Sequence, residues 1–343
     1  MQHDTKVKGN DLFEELEPEK ASNAKPLEAR VNERVEALLK AYENSLKEPH
    51  DDDPYYHQFS KICARHLPSS YSQEELNQAA ILLNKYAHLP QAPRTLGYFL
   101  SEAINRSLEK ELVLNTKHFE HISNLGYNLL GKKLTIEGDV HQVAGCGMKS
   151  GELTINGHAG KVAGMDMSGG NLTVNGNVGS YLGCRMTGGK IHVHGSADKH
   201  VGKEMNRGEI TVDGDSGPAL GDDMKGGTIF VYGNASHYLS GWPRWGVGHF
   251  MTGGKIIVHG TIDSIADMKG GEIIALGRIQ DITSTFGKNV WWPGKTEYYK
   301  ESLRNLPRDA HSEKLLRNLQ EQDEHYKKIV REVQEPHGKN ERS

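Results

Sequence analysis

The sequence predicts a mainly β protein: a parallel β-helix of about seven to eight coils with a 19-residue period, an α-helical N-terminal region and a C-terminal helix. Three observations carry that prediction. Met148, Met167, Met186, Met205 and Met224 stand 19 residues apart, and Met251 and Met268 follow after 27 and 17. Three glycine columns keep the same beat: Gly138 to Gly233 with Gly260 and Gly277, Gly145 to Gly221 with Gly248, and Gly151 to Gly227 with Gly254 and Gly271. Each unit also holds one short alternating run: Leu153-Thr-Ile155, Leu172-Thr-Val174, Ile191-His-Val193, Ile210-Thr-Val212, Ile229-Phe-Val231 and Ile256-Ile-Val258.

Alternate residues of a strand point to opposite faces, so the Leu, Ile and Val positions face a core and the residues between them face outward. A second inward column is expected from Ala144, Ala163, Leu182, Val201, Leu220 and Leu239. Glycines suit the corners, where the chain needs positive φ or close backbone approach. A 19-residue unit is too short for a strand-plus-helix pair. The leucine-rich frame and the calcium-binding glycine-aspartate nonapeptide are both missing. Coils stacked by strand pairing remain, about 4.8 Å apart.

The recurring pattern G-x-x-x-G-x-x-M-x-G-G-x-I-x-V-x-G is carried by MTGGKIHVHGSA, MKGGTIFVYGNA and MTGGKIIVHGTI. It resembles the glycine-repeat domain called GXGXG, found at the C-terminal end of the glutamate synthase large subunit and in a structural subunit of formylmethanofuran dehydrogenase. The resemblance covers about Lys132 to Gly287. It implies a right-handed β-helix. It also implies a module without catalytic residues of its own that packs against catalytic domains or subunits. The region before the repeat departs from both families, being helical rather than amidotransferase or flavin-binding.

Four segments follow in order. Residues 1–26 are polar and read as a disordered tail. Residues 27–115 form the helical region. Leu27 to Leu46 places Val31, Val35, Leu38, Leu39, Tyr42 and Leu46 on one helical face. Ser72 and Glu75 form a capping box that opens a helix through Ala87. Thr95 to Leu108 is a further amphipathic helix, and Glu111 to Leu114 is a candidate first strand. Residues 116–290 are the β-helix. Residues 291–343 are a plug, beginning Trp291-Trp-Pro-Gly294, and a charged helical tail. Open solenoid ends need caps, which assigns a capping or partner-binding role to the helices.

Composition narrows the function. A net charge of −4 offers no electrostatic case for nucleic acid. No stretch reaches the length of a membrane helix, and the start has no apolar signal-peptide core. The expectation is a soluble, cytoplasmic protein. Cys63, Cys146 and Cys184 are too few for a disulfide scaffold. Cys146 and Cys184 lie two coils apart, about 9.6 Å, beyond disulfide reach.

His192 and His194 raise the question of a metal. In register they belong to outward ladders: Thr135, Thr154, Thr173, His192, Thr211, Phe230, and Glu137, Asn156, Asn175, His194, Asp213, Tyr232, His259. His192, His194 and Asp213 share a face, but parallel side chains that do not converge would make no metal site. No metal, cofactor or catalytic residue is therefore assigned. The stretch Gly145 to Gly151 is explained by the repeat and not by a phosphate loop. Asp166, Arg185, Glu204 and Asp223 form a charge ladder in which Lys203 relieves the acidic pair.

The period lengthens once. Gly233 and Gly260 are 27 apart, and the extra residues fall within Ser236 to Val247. Insertions in solenoids become loops on one face and often bind. Tyr238, Trp242, Arg244 and Trp245 are the residue types of interface hot spots and are the interaction candidates. The expected function is a non-catalytic scaffold whose partner is a protein, either a catalytic subunit or a second copy. The alternatives are an accessory of glutamate synthase-type chemistry, or an enzyme with a site between the 236–249 loop and the N-terminal helices. His237, His249 and Arg244 would be the acid–base candidates of that last reading.

Overall fold

The structure is a computed structural model that describes residues 24–48, 57–68, 71–235, 246–282, 290–291, 324, 326–328 and 331. The 1–26 tail expectation falls almost wholly outside these residues, as do Tyr238, Trp242, Arg244 and Trp245.

Ten parallel strands build one continuous sheet: β1 (Glu111–Asn115), β2 (Lys132–Glu137), β4 (Gly151–Asn156), β6 (Asn171–Val174), β7 (Lys190–Val193), β8 (Glu209–Val212), β9 (Thr228–Val231), β10 (Thr252–Val258), β12 (Gly270–Ala275) and β14 (Val290–Trp291). Ten strands exceed the seven to eight coils expected because the sheet recruits Glu111–Asn115 at one end and Val290–Trp291 at the other. The register is one period per rung: Leu134, Leu153, Leu172, Ile191, Ile210, Ile229 and Ile256 lie side by side. These residues are 0–1 % exposed. Each contributes roughly 1.5–3 kcal/mol of burial.

A second ladder runs parallel to the first. It begins with β3 (Val140–Gln142) and β5 (Ala159–Lys161) and continues as single bridges through Val178, Ala197, Ser216, Ala235 and Ile262. It ends as β11 (Ile262–Ile265) paired with β13 (Ile279–Ile282). The remaining side of each coil is a turn with alternating left-handed residues, such as Val162, Gly164 and Asp166 at φ 70°, 65° and 55°. A left-handed valine is sterically costly. Hydrogen bonds between coils hold it there, for Val162 N–H donates to Ser180 O at 2.8 Å.

The second inward column is corrected at its end. Gly248 N–H donates to Leu220 O at 2.8 Å, as Gly221 does to Val201, so Val247 follows Leu220 in place of the expected Leu239. The insertion precedes this corner, and Leu239 falls in the undescribed segment.

Four helices cover the first coils: α1 (Ala24–Lys47), α2 (His57–His66), α3 (Gln73–Leu83) and α4 (Ala92–Arg106). The capping box stands as expected: Ser72 N–H donates to Glu75 Oε2 at 2.7 Å and Glu75 N–H to Ser72 Oγ at 3.2 Å. The α-helix stops at Leu83 and a 3₁₀ turn (Asn84–Tyr86) takes it to Ala87. Helix α2 was not expected; it buries Phe59, Ile62 and Cys63. The cap works through one side chain in particular. The Gln73 carboxamide accepts from Val113 N–H at 2.8 Å and donates to Val113 O, occupying the outer edge of β1 where a further strand would pair.

The outer face of the sheet changes character along its length. Thr154, Thr173, His192 and Thr211 give way to Phe230, Ile257, Ile274 and Trp291. Tyr326 of the helical C-terminal segment packs on this apolar end and donates its hydroxyl to Ala275 O at 3.0 Å.

Candidate interaction surface

The insertion leaves and re-enters the solenoid at fixed points. On one side, Ala235 N–H donates to Thr261 O at 2.9 Å and Asp263 N–H donates to Ala235 O at 3.1 Å. On the other, Val247 N–H donates to Ser264 O at 3.0 Å. Both anchors are buried, Ala235 at 2 % and Val247 at 5 % exposure. The four interaction candidates lie between them.

At the re-entry point sits a polar cluster that the repeat pattern does not announce. Asp222 has a side chain only 2 % exposed. Its carboxylate accepts from His249 Nδ1 at 2.7 Å and from Lys203 Nζ at 2.5 Å, with His200 Nδ1 at 3.4 Å. A carboxylate only accepts, so His249 carries its proton on Nδ1, and its neutral form has an unprotonated Nε2. Three successive coils contribute: His200 and Lys203, then Asp222, then His249. Burial alone would raise the Asp222 pKa, but hydrogen bonds from His200, Lys203 and His249 outweigh it and hold the carboxyl well below the usual range. The Lys203 ammonium suffers from burial too, and its bond to Asp222 brings its pKa to a net rise. His200 stacks flat on Tyr181, centroids 4.7 Å apart.

The signal was present in one column. Cys146, Met165, Cys184, Lys203, Asp222 and His249 share a register position, and its last three members alternate cation, anion and imidazole. Of the acid–base candidates, His249 therefore enters a structured cluster; His237 and Arg244 lie outside the described residues. The cluster ties coils together at the insertion into the period.

Beside it, Phe250 is exposed and Lys269 Nζ stands 4.8 Å over its ring. Lys203 also reaches Asp223 at 3.7 Å, the expected relief of the acidic pair. Farther along, Arg185 grips Asp166 with two bonds of 2.8 and 2.7 Å. Cys146 and Cys184 are buried and free; burial pushes the Cys146 thiol up to about 12 and raises that of Cys184. Neither is a reactive thiolate.

His192 of β7 and His194, just after it, depart from the expected parallel ladder. His192 Nε2 lies 2.9 Å from Asp213 Oδ1, and His194 Nδ1 lies 2.8 Å from Asp213 Oδ2. The rings converge on one carboxylate, with centroids 4.1 Å apart. Residue spacing fixes the face, and the side-chain torsions supply the convergence that the backbone pattern alone does not. Burial opposes ionisation of Asp213, while the two imidazole hydrogen bonds lower its pKa overall. The same outer face carries an amide ladder in which Asn175 donates to Asn156 at 2.6 Å and Asn156 to Glu137 at 2.7 Å.

Helix α4 sits on the first coil, far from Ala235 and Val247. Ser101 of α4 donates to Asn124 O in the first coil. The glycine column takes six steps from Gly126 to Gly248, about 29 Å at the strand spacing. Among the described residues, no helix is long and apolar enough to cross a membrane.

No protein-family model matches the chain, and no curated protein matches it. Among solved structures, the chain is similar to one in the formyltransferase/hydrolase complex (FhcABCD) from Methylorubrum extorquens in complex with methylofuran. The identity is 25 %, the match covers 60 % of this chain and 70 % of that one, and the TM-score is 0.40.

Proposed function

We propose that this chain is a non-catalytic β-helix scaffold that holds a catalytic protein through the 236–245 insertion. The observation that carries the reading is the insertion's base. Ala235 and Val247 are buried and bonded into neighbouring coils. The Asp222 cluster cross-ties the coils on which the insertion returns. A segment containing Tyr238, Trp242, Arg244 and Trp245 thus springs from a braced platform, and a fixed platform lowers the ordering cost of binding. The resemblance to GXGXG modules, which pack against catalytic partners in larger oxidoreductases, agrees with this role. An accessory of glutamate synthase-type chemistry would use the same scaffold.

The reading is tested by co-purifying the tagged chain from its native cells and measuring the mass of the assembly. The expected result is a stoichiometric complex with an enzyme that Trp242→Ala or Trp245→Ala weakens. A chain that elutes alone under gentle conditions contradicts it.

A further inference from the structure

We infer that His192, His194 and Asp213 form a binding site for a first-row divalent transition-metal ion, with zinc as its natural probe, on the outer face of the sheet. The donor set is two imidazole nitrogens and one carboxylate, a combination suited to zinc and its neighbours in the series. One donor atom from each residue falls within 4.8 Å of the others. His192 Nε2 stands 2.9 Å from one Asp213 carboxylate oxygen and His194 Nδ1 2.8 Å from the other. Around an ion with bonds of about 2.0–2.2 Å, neighbouring donors stand roughly 3–3.5 Å apart. No pair of donor atoms is more than 4.8 Å apart, so closure asks for an approach of at most about 1–2 Å, within reach of side-chain rotation rather than backbone movement.

The backbone beneath is fixed. His192 pairs with Thr173 on one side and Thr211 on the other. His194 N–H donates to Val174 O and Asp213 N–H to Val193 O, both at 2.9 Å. Val193 and Val212, fully buried, anchor the two strands from inside. Such preorganisation separates a site from a chance meeting of surface side chains. The side chains of His192, His194 and Asp213 are 41, 46 and 37 % exposed, so the remaining coordination positions open to solvent. Water would fill them.

In the metal-free arrangement each imidazole donates an N–H to Asp213. On binding, a neutral ring moves that proton to its other nitrogen, and an imidazolium releases it to solvent. The metal then replaces the two hydrogen bonds with three coordination bonds. Protonation of the imidazoles competes with the metal.

The test is calorimetric titration of the full chain with zinc alone at about pH 7.5, with cobalt absorption as a second readout of imidazole ligation. One ion should bind per chain in the micromolar range. His192→Asn, His194→Asn and Asp213→Asn should each weaken it about tenfold or more, with unchanged circular dichroism. His158→Asn, two coils away, should leave it unaltered. If an asparagine variant fails to fold, His192→Gln and His194→Gln serve in its place. Equal binding by wild type and all three site variants overturns the assignment, as does binding only at millimolar zinc.

Discussion

The Cε atom of Met205 lies 2.7 Å from where a Cβ on Gly227 would stand, and Gly227 holds φ at +90°. The same relation joins Met186 to Gly208 and Met224 to Gly254, each at 2.7 Å. The methionine and glycine columns are thus two halves of one joint: the thioether of one coil ends under the backbone of the next turn. A side chain on the glycine would strike the methionine and the Gly208 carbonyl oxygen, 2.9 Å away.

Gly227→Ala should therefore destabilise the protein by about 2–4 kcal/mol, combining left-handed strain with overpacking. Met205→Ala should cost about 2–5 kcal/mol through the cavity it leaves. The double variant should cost less than the sum, because removing Met205 relieves one of the contacts but not the carbonyl clash. Denaturant unfolding of the four proteins measures the coupling.

Val193→Asp should unfold neighbouring coils, since it places an unpaired charge at a fully buried position. His192→Asn should change stability by less than about 1 kcal/mol, as an outward, partly exposed site does. Thermal melts of both variants check the inward–outward register directly. Unfolding by both would refute it.

Asp222→Asn should lower stability at neutral pH by about 2–4 kcal/mol, because it leaves Lys203 without its buried counter-charge. The pH dependence has a definite sign. The folded carboxyl pKa is depressed, so the wild-type advantage is fully present above the unfolded aspartate value of about 3.9. It is lost progressively as the pH falls below that value toward the folded pKa. Melting temperatures of both proteins between about pH 7 and pH 3 should show a constant gap that narrows only at the acid end.

Gly97→Ala should loosen the helical cap. A Cβ at Gly97 would overlap the carbonyl oxygen of Ser123 in the first coil, and Ser123 N–H already donates to Pro93 O at 2.7 Å. Helix α4 must then lift, and Gln73 loses its hold on the β1 edge. Sedimentation should reveal self-association absent from the wild type; an unchanged monomer would show that the helices do not protect that edge.

The solenoid was legible because its physics is periodic. Met186 and Met205, or Ile191 and Ile210, repeat because every coil presents the same cavity to the same side chain. What escaped was aperiodic. Helix α2 is ten residues long and carries no capping box to announce it. The Asp222 cluster substitutes polar groups into a column that begins with Cys146 and Met165, so no motif marks it. The convergence of His192 and His194 on Asp213 depends on torsions beyond Cβ. The coil count fell short because Val290–Trp291 joins the sheet with no methionine of the repeat ahead of it, although Gly287 keeps the 17-residue step from Gly270.

The central claim, that the insertion holds a catalytic partner, is tested most directly on Trp242→Ala and Trp245→Ala by measuring partner affinity and melting temperature on the same samples. The expected result is a loss of affinity of about 2 kcal/mol or more, roughly 30-fold, as hot-spot truncations give, with the melting temperature nearly unchanged. A lowered melting temperature with undiminished binding by the folded fraction would contradict it and turn the tryptophans into internal packing.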